Sequence, residues 1–160
     1  MIATRLVLIA VACAATLPAG AQLIQRKDLS YPVALTIAQA ALDDCKGRGY
    51  ATSVVVVDRG GNTVVALRGD NAGAHTMENA RRKAYTAMTF KMTTADFIKE
   101  MATRPVRREQ TTLPNVIAID GGVPIKVGND VVGGVGLSGS PGLDEQCVMA
   151  GMDKVKDQLQ

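Results

Sequence analysis

Residues 68–87, RGDNAGAHTMENARRKAYTA, hold the residue types of this chain best suited to chemistry. They include His75, the only histidine among 160 residues, and the consecutive cations Arg81, Arg82 and Lys83. A neutral imidazole can bind a metal ion, and guanidinium groups match carboxylates in charge and geometry. The stretch can therefore supply a metal ligand or an anion-binding group. The alternative is an ordinary solvated histidine.

The element that must position these side chains is a helix predicted over about residues 74–91. Small and apolar residues recur on one side of it at helical spacing: Met77, Ala80, Ala84, Ala87 and Met88. On the same helical wheel His75 and Arg82 share the opposite side with Asn79 and Thr86. We expect this face to look away from the core, into solvent, a cleft or a partner subunit.

The alternative is that His75 is a solvated surface residue. The charged side chains of the helix would then pair with each other and would not bind a ligand. Glu78 and Arg82 are four residues apart, the spacing of a helical ion pair. A position near a helix N-terminus also disfavours the imidazolium form of His75. A neutral His75 is compatible with ligation and with a solvated residue alike.

Helices and short strands are predicted on both sides of this segment. In chain order they are a helix at 30–47, strands at 52–58 and 63–67, a short helix from Thr93 or Thr94 to about 102, a polar loop at 104–114, strands at 116–119, 123–127 and 131–137, and a helix at 143–159. Short turns join the strands, which favours antiparallel pairing. The sequence therefore predicts an α+β fold: a single layered domain with a mainly antiparallel five-stranded sheet flanked by helices.

Composition and motifs exclude several function classes. The formal net charge of +3 is too small to indicate a nucleic-acid-binding surface. The glycine-rich pieces GGVPI and GGVGLSG lack the lysine and hydroxyl residue of a phosphate-binding loop. We interpret them as tight turns and sites of close backbone approach; the alternative is a backbone surface that lines a flat pocket. Ser138 and Ser140 have no histidine placed near them in the sequence, so a serine hydrolase is disfavoured. The sequence contains no general acid–base pair and no redox motif that would indicate catalysis.

Residues 1–21 have the pattern of a secretory signal peptide. MIATR carries a cation, LVLIAVACAATL is a short apolar run, and Ala19-Gly20-Ala21 provides a small-residue cleavage site. We predict cleavage after Ala21, a domain over residues 22–160, and a periplasmic or secreted protein without stable membrane insertion. The alternatives are a buried N-terminal helix and lipidation at Cys13, which the residue three positions earlier, an alanine, disfavours.

Export would leave two cysteines, Cys45 and Cys147, in predicted helices near the two ends of the domain. An even count in an oxidising compartment indicates one disulfide if those helices pack side by side. The alternative is two buried free thiols. Mass spectrometry that finds both thiols free after native isolation would exclude the disulfide.

The segments VVVVDRGGNTVVALRGDNA, ARRKAYTA and IDGGVPIKVGNDVVGGVGLSGSPGLDEQCVMAG, in this order, resemble the GlcG/HbpS-type haem-binding family. That family includes the C-terminal domain of PduO-type proteins, and the resemblance spans nearly all of residues 22–160. It implies an antiparallel sheet of about five strands flanked by helices, assembly into homo-oligomers and, for some members, haem b as cofactor. It also implies roles in haem or iron scavenging, storage or sensing, and it leaves haem degradation open.

With this resemblance, His75 becomes the candidate axial ligand of haem iron because it is the only histidine; the porphyrin supplies four further nitrogens. Arg81 and Arg82 are candidates for the two propionates, with Arg68 and Asn71 beside them. A second axial ligand stays open among Tyr31, Tyr50, Tyr85, a methionine and a partner subunit's His75.

A second hypothesis needs no haem. A small anionic organic acid of the glycolate type could bind at the turn and helix start, because arginines and helix N-termini favour carboxylates. Its site would consist of Arg68, Asn71, His75 and Arg82. A purely structural oligomeric subunit is a third interpretation.

We predict that the protein is a homo-oligomer. Short strands and an aromatic content of 3% give a modest core, so an exposed face is expected to pair with another copy. Size-exclusion chromatography with light scattering is expected to give a mass above that of one chain. A monomer at micromolar concentration would contradict the prediction.

Overall fold

The computed structural model describes residues 23–160. The predicted signal peptide, its cleavage site after Ala21 and Cys13 lie outside these residues. Within the described range, no helix has both the length and the apolar character needed to cross a membrane.

Residues 23–160 form five α-helices and four β-strands. They are α1 (Tyr31–Gly47), β1 (Ser53–Asp58), β2 (Thr63–Arg68), α2 (Thr76–Phe90), α3 (Thr94–Thr103), α4 (Pro105–Glu109), β3 (Gly122–Val127), β4 (Asp130–Ser138) and α5 (Asp144–Asp153), with 3-10 turns at Gln110–Thr112 and Lys156–Gln158. The strands pair antiparallel throughout, in the order β2-β1-β4-β3. The predicted α+β class is confirmed.

The prediction of five strands is wrong, because the sheet has four within the described residues. Residues 116 and 117, expected to begin a strand, make hydrogen bonds to helix α2 instead of to a neighbouring strand. The Ile117 amide donates to the Thr86 hydroxyl at 2.9 Å, and the Val116 carbonyl accepts from the Arg82 guanidinium. The four apolar residues 116–119, between Asn115 and Asp120, have the pattern of a short strand, but Val116 is buried against α2 and not in the sheet.

Helix limits differ from the predicted ones at three places. Helix α2 begins at Thr76 rather than at about residue 74. The predicted loop 104–114 contains α4, which Pro105 can begin because the first helical position needs no amide hydrogen. The last helix ends at Asp153, and a 3-10 turn follows it.

Helices cover both faces of the sheet, which explains the almost continuous burial of β1. Val54 and Val56 pack with α1 and α5 in the larger core cluster. Val55 and Val57 point to the other face, against Ala80 and Ala84 of α2. A strand buried on both sides is typically an unbroken β-branched run, as here.

Glycines in β4 let α2 lie directly on the sheet. A Cβ at Gly136 would collide with the carbonyl oxygen of Ala80, and one at Gly134 with that of Ala84. The segment GGVGLSG therefore serves close backbone approach, as expected from the sequence. This contact fixes where α2 begins relative to the end of β4.

Helices α1 and α5 lie side by side, and Cys45 and Cys147 form a disulfide between them with a Cα–Cα distance of 5.5 Å. The disulfide predicted from the sequence is confirmed, and both cysteines are fully buried. It closes a separation of 102 residues and so joins the two ends of the domain.

Replacing both cysteines (Cys45→Ala with Cys147→Ala) is expected to lower the free energy of unfolding by about 2–5 kcal/mol, since the crosslink limits the unfolded chain over a long loop. Chemical denaturation measures the change, and the parent protein in reductant is the control. A variant as stable as the oxidised parent would contradict the prediction.

Candidate functional site

A cleft of about 370 Å³ lies where α2 begins, β4 ends and the segment before β3 passes between them. We call it the His75 cleft. Its lining combines ionisable side chains with glycines and small apolar residues: Ala51, Gly73, His75, Thr76, Asn79, Lys83, Ile119, Asp120, Ser138, Gly139, Pro141, Gly142 and Asp144.

The first turn of α2 sets the place of His75. Thr76, only 2% exposed, donates its hydroxyl to the Gly73 carbonyl at 2.8 Å and lies 2.8 Å from the Ser53 hydroxyl at the start of β1. His75 is the N-cap residue, and its side chain makes no capping hydrogen bond. A Cβ at Gly73 would lie 3.0 Å from the imidazole Cε1 and 3.2 Å from Nδ1. Gly73 thus leaves the room that the ring occupies.

The helical-wheel face predicted for His75 divides into two halves. Asn79, one turn along, lines the cleft with His75. Thr86, expected to face outward, is 1% exposed. It and Arg82 bind the backbone of residues 116–117 through the hydrogen bonds described above. The segment 115–119 covers this end of the helix, which periodicity alone could not reveal.

The predicted Glu78–Arg82 ion pair does not form. Glu78 pairs instead with Arg81, three residues along, at 2.8 Å. The hydrogen bond from Arg81 is the main cause of the lowered pKa of the Glu78 carboxyl. Arg81 also donates to the Asn115 side chain at 2.8 Å, so its guanidinium is committed to the chain itself.

Arg68 is the last residue of β2, and Asn71 lies in the turn between β2 and α2; neither lines the His75 cleft. The Arg68 guanidinium donates to the Ala72 carbonyl at 2.6 Å and lines a different cleft. Asn71 has a φ of 62°, in the left-handed region that asparagine tolerates in turns. Of the five predicted site residues, His75 alone lines the His75 cleft, and the structure does not bring the other four to it.

Sequence reasoning missed the buried ion pair in the wall of this cleft. Lys83 is 1% exposed, and its ammonium donates to Asp144 Oδ2 at 2.6 Å and to the Leu137 carbonyl at 2.9 Å. Lys83 falls on the same helical side as Ala80, Ala84 and Ala87, a cation within a stripe of core alanines. That position is the signal that could have found it.

Asp144 extends the network to the disulfide. Its Oδ1 accepts from the amide of Ser140 at 2.8 Å and from the Ser140 hydroxyl at 2.7 Å. The same hydroxyl lies 3.0 Å from Cys45 Sγ. Ser140 is fully buried and engaged with Asp144, so its environment is structural.

The cleft carries a carboxylate at its outer side. Asp120 lines it and contributes, after burial and Asp96, to a raised pKa of the neighbouring Glu145 carboxyl. Lys83 is paired with Asp144, and Asp120 is a further carboxylate in the lining of the cleft. No arginine lines this cleft among residues 23–160.

Comparison with known proteins identifies the group to which this architecture belongs. The family model described as "Haem degrading protein HbpS-like" matches residues 29–153. The chain belongs to the HbpS-like family. The family resemblance noted in the sequence is confirmed, and the match includes every residue that lines the His75 cleft.

Individual relatives agree with the HbpS-like assignment. Protein GlcG of Escherichia coli K12 is 28% identical over 110 residues, which are 69% of this chain and 81% of GlcG. The crystal structure of a double mutant of HbpS from Streptomyces reticuli has a TM-score of 0.80 at 36% identity, covering 90% of this chain and 98% of that one. A crystal structure of a PduOC–haem complex shares the HbpS-like fold, with a TM-score of 0.70 at 23% identity over 79% and 94% of the two chains.

The Lys83–Asp144 pair is expected to be a major determinant of stability in this HbpS-like domain. Asp144→Asn keeps the shape of the side chain but leaves a buried ammonium without its counter-ion, which is expected to lower the free energy of unfolding by about 3–5 kcal/mol. Urea denaturation measures the loss. Adding Lys83→Met to Asp144→Asn is expected to recover part of it, because the unpaired charge is then gone.

Glu78→Gln is the matched control, since it removes the partner of an ion pair whose carboxylate side chain is 59% exposed. Its effect is expected to stay within about 1 kcal/mol. An Asp144→Asn variant no less stable than this control would contradict a structural role for the buried pair.

Proposed function

We propose that this protein binds haem b reversibly in the His75 cleft, with the imidazole of His75 as an axial ligand of the iron. The observation that carries the proposal is an imidazole that lines a cleft and has no side-chain hydrogen bond within residues 23–160, in a chain of the HbpS-like family. The PduOC–haem complex supports it as a relative of the same fold whose structure contains the cofactor.

The residues of the cleft fit one ligand to iron and one flat face of the macrocycle. His75 is exposed, so its ring nitrogens are accessible. Gly139, Gly142 and Pro141 offer a surface with few side-chain atoms, next to Ile119, which is 40% exposed. Haem would supply an iron centre that takes the imidazole nitrogen as a ligand.

The size of the cleft limits how much of the group one chain can enclose. A volume of about 370 Å³ is at the lower end of the range of about 300–1,000 Å³ found for ligand pockets. Arg81 and Arg82 bind residues 115 and 116 and do not line the cleft, so the cleft of one chain offers the propionates no guanidinium group. A second copy of the chain over that side, as in the predicted homo-oligomer, would complete the enclosure.

Export fits this function. Residues 1–21 carry the predicted signal peptide, and a buried disulfide is typical of proteins that fold in an oxidising compartment. We place the protein in the periplasm or outside the cell, where it would scavenge, store or sense haem. The proposed activity is haem binding, and the family resemblance leaves haem degradation open.

Titration of haem into residues 22–160 is expected to give a saturable Soret shift. His75→Gly is expected to abolish or alter it, since it removes the ligand. Glycine is well tolerated at an N-cap, and His75 makes no capping bond that would be lost. Added imidazole is expected to restore the parent spectrum in this variant by occupying the vacated position.

Glu78→Ala, one turn along the same helix and outside the cleft lining, is the control and is expected to bind haem as the parent does. An unchanged spectrum in His75→Gly would move the iron ligand elsewhere. No Soret shift in the parent would contradict haem binding itself.

A further inference from the structure

The Cys45–Cys147 disulfide lies directly behind one wall of the His75 cleft. Every residue of the segment 139–142 except Ser140 lines that cleft. Ser140 is fully buried, and its hydroxyl oxygen lies 3.0 Å from Cys45 Sγ. The same short segment therefore borders both the cleft and the disulfide.

Ser140 also joins this wall to the buried ion pair. Its amide and its hydroxyl both donate to Asp144 Oδ1, at 2.8 Å and 2.7 Å. The other carboxylate oxygen, Asp144 Oδ2, accepts from the Lys83 ammonium at 2.6 Å. A continuous chain of buried contacts therefore runs from Cys45 on α1, through Ser140 and Asp144, to Lys83 on α2. Asp144 and Lys83 both line the cleft.

The bond between the two sulfur atoms decides what Cys45 presents to Ser140. In the disulfide, Cys45 Sγ carries no hydrogen, and the Ser140 hydroxyl gives its proton to Asp144. In the reduced chain each sulfur carries a hydrogen and is a weak donor, and the Ser140 oxygen is an acceptor within its reach. Two separate thiols also take more room than one disulfide.

The surroundings of the sulfur atoms are too closely packed to absorb that change locally. Cys45, Cys147 and Ser140 are each 0% exposed. One turn further along α5, a Cβ at Gly151 would collide with the Ile37 carbonyl oxygen, so α1 and α5 are in backbone contact. Close-packed interiors have low compressibility and transmit strain. Separating the two sulfur atoms therefore displaces Ser140 and, with it, the wall of the cleft.

We propose that the disulfide completes the His75 cleft: its formation fixes residues 139–142 through Ser140, so the chain reaches its full affinity for haem only after oxidation. This inference rests on the haem binding proposed above. The step is a thiol–disulfide exchange, in which the two thiols pass two electrons and two protons to the disulfide of an oxidant protein, which leaves as a dithiol. In a reducing compartment the thiol form binds haem more weakly, and haem loading follows the predicted export.

The test is a double-mutant cycle on the haem dissociation constant of residues 22–160, measured by Soret titration. One arm removes the disulfide (Cys45→Ala with Cys147→Ala), and the other removes the connecting hydroxyl (Ser140→Ala). Each is expected to weaken haem binding by about tenfold, and the two together by no more than either alone, because both break the same chain of contacts. A disulfide that acts only on global stability leaves the haem affinity of the folded protein unchanged.

Two features of the variants keep the test decisive. Ser140→Ala retains the disulfide, so it tests the inference by itself where the cysteine variant does not fold. Thr86→Val is the matched control, because it removes another buried hydroxyl, the acceptor of the Ile117 amide, and Thr86 does not line the His75 cleft. Thr86→Val is expected to bind haem as the parent does, and its effect is expected to add to that of the cysteine substitutions.

A second readout needs no haem. The ¹⁵Nζ resonance of Lys83 reports the far end of the chain of contacts in the haem-free protein. It is expected to shift when the disulfide is removed from the parent. It is expected to show no further shift when the disulfide is removed from the Ser140→Ala variant.

The inference is overturned if Ser140→Ala or a folded cysteine variant binds haem as tightly as the parent, or if their two effects are additive. A Lys83 resonance that does not respond to loss of the disulfide also overturns it. These results leave the proposed function standing, because they require a parent that binds haem. Absence of a Soret shift in the oxidised parent is a different result, which contradicts the proposed function and this inference together.

Discussion

The buried ion pair of Lys83 and Asp144 is the interaction on which the surroundings of the His75 cleft depend. Moving two charges out of water is unfavourable, and their attraction compensates only when further hydrogen bonds satisfy both groups. Here the ammonium also bonds the Leu137 carbonyl, and the carboxylate also bonds Ser140 twice. The pair therefore joins α2, the end of β4 and the start of α5 in one arrangement.

Through Ser140, that arrangement reaches the covalent link between α1 and α5. The Ser140 hydroxyl lies against Cys45, half of the disulfide that holds the two helices together. The same loop, residues 139–142, forms one wall of the His75 cleft. The opposite wall is the first turn of α2, which Thr76 attaches to β1. Hydrogen bonds therefore hold both walls to neighbouring elements, and His75 precedes a residue, Thr76, that is bonded to β1.

Much of the fold was predictable because local pattern and packing agree. The β-branched run of β1 predicts a buried strand, the turn before β2 predicts a hairpin, and the glycines of β4 favour close approach of a helix; all three are found. The two cysteines meet because α1 and α5 pack side by side. The strand predicted at residues 116–119 does not form, and side chains of α2, which are remote in sequence, bind the backbone of residues 116 and 117.

The candidate site was predictable only in part, for a similar reason. His75 was a candidate because it is the only histidine of the sequence, and in the structure it lines a cleft. Arg81 and Arg82 were expected beside His75 because they share its helix, but their guanidinium groups donate to acceptors elsewhere in the chain. For Arg81 these are Glu78 and Asn115, and for Arg82 it is Val116. Sequence analysis did not select Lys83 because lysines are usually exposed to solvent. Its burial is explained by Asp144, which is remote in sequence and pairs with it in the fold.

Direct detection of a bond between His75 and haem iron is the most decisive measurement, and a single histidine makes it unambiguous. The ferric haem complex would be prepared with ¹⁵N-labelled histidine and an unlabelled porphyrin, then examined by pulsed electron paramagnetic resonance. Ligation by His75 predicts a hyperfine coupling to one imidazole nitrogen that changes with the isotope. A saturated haem complex without any coupling to labelled histidine would contradict the proposed site.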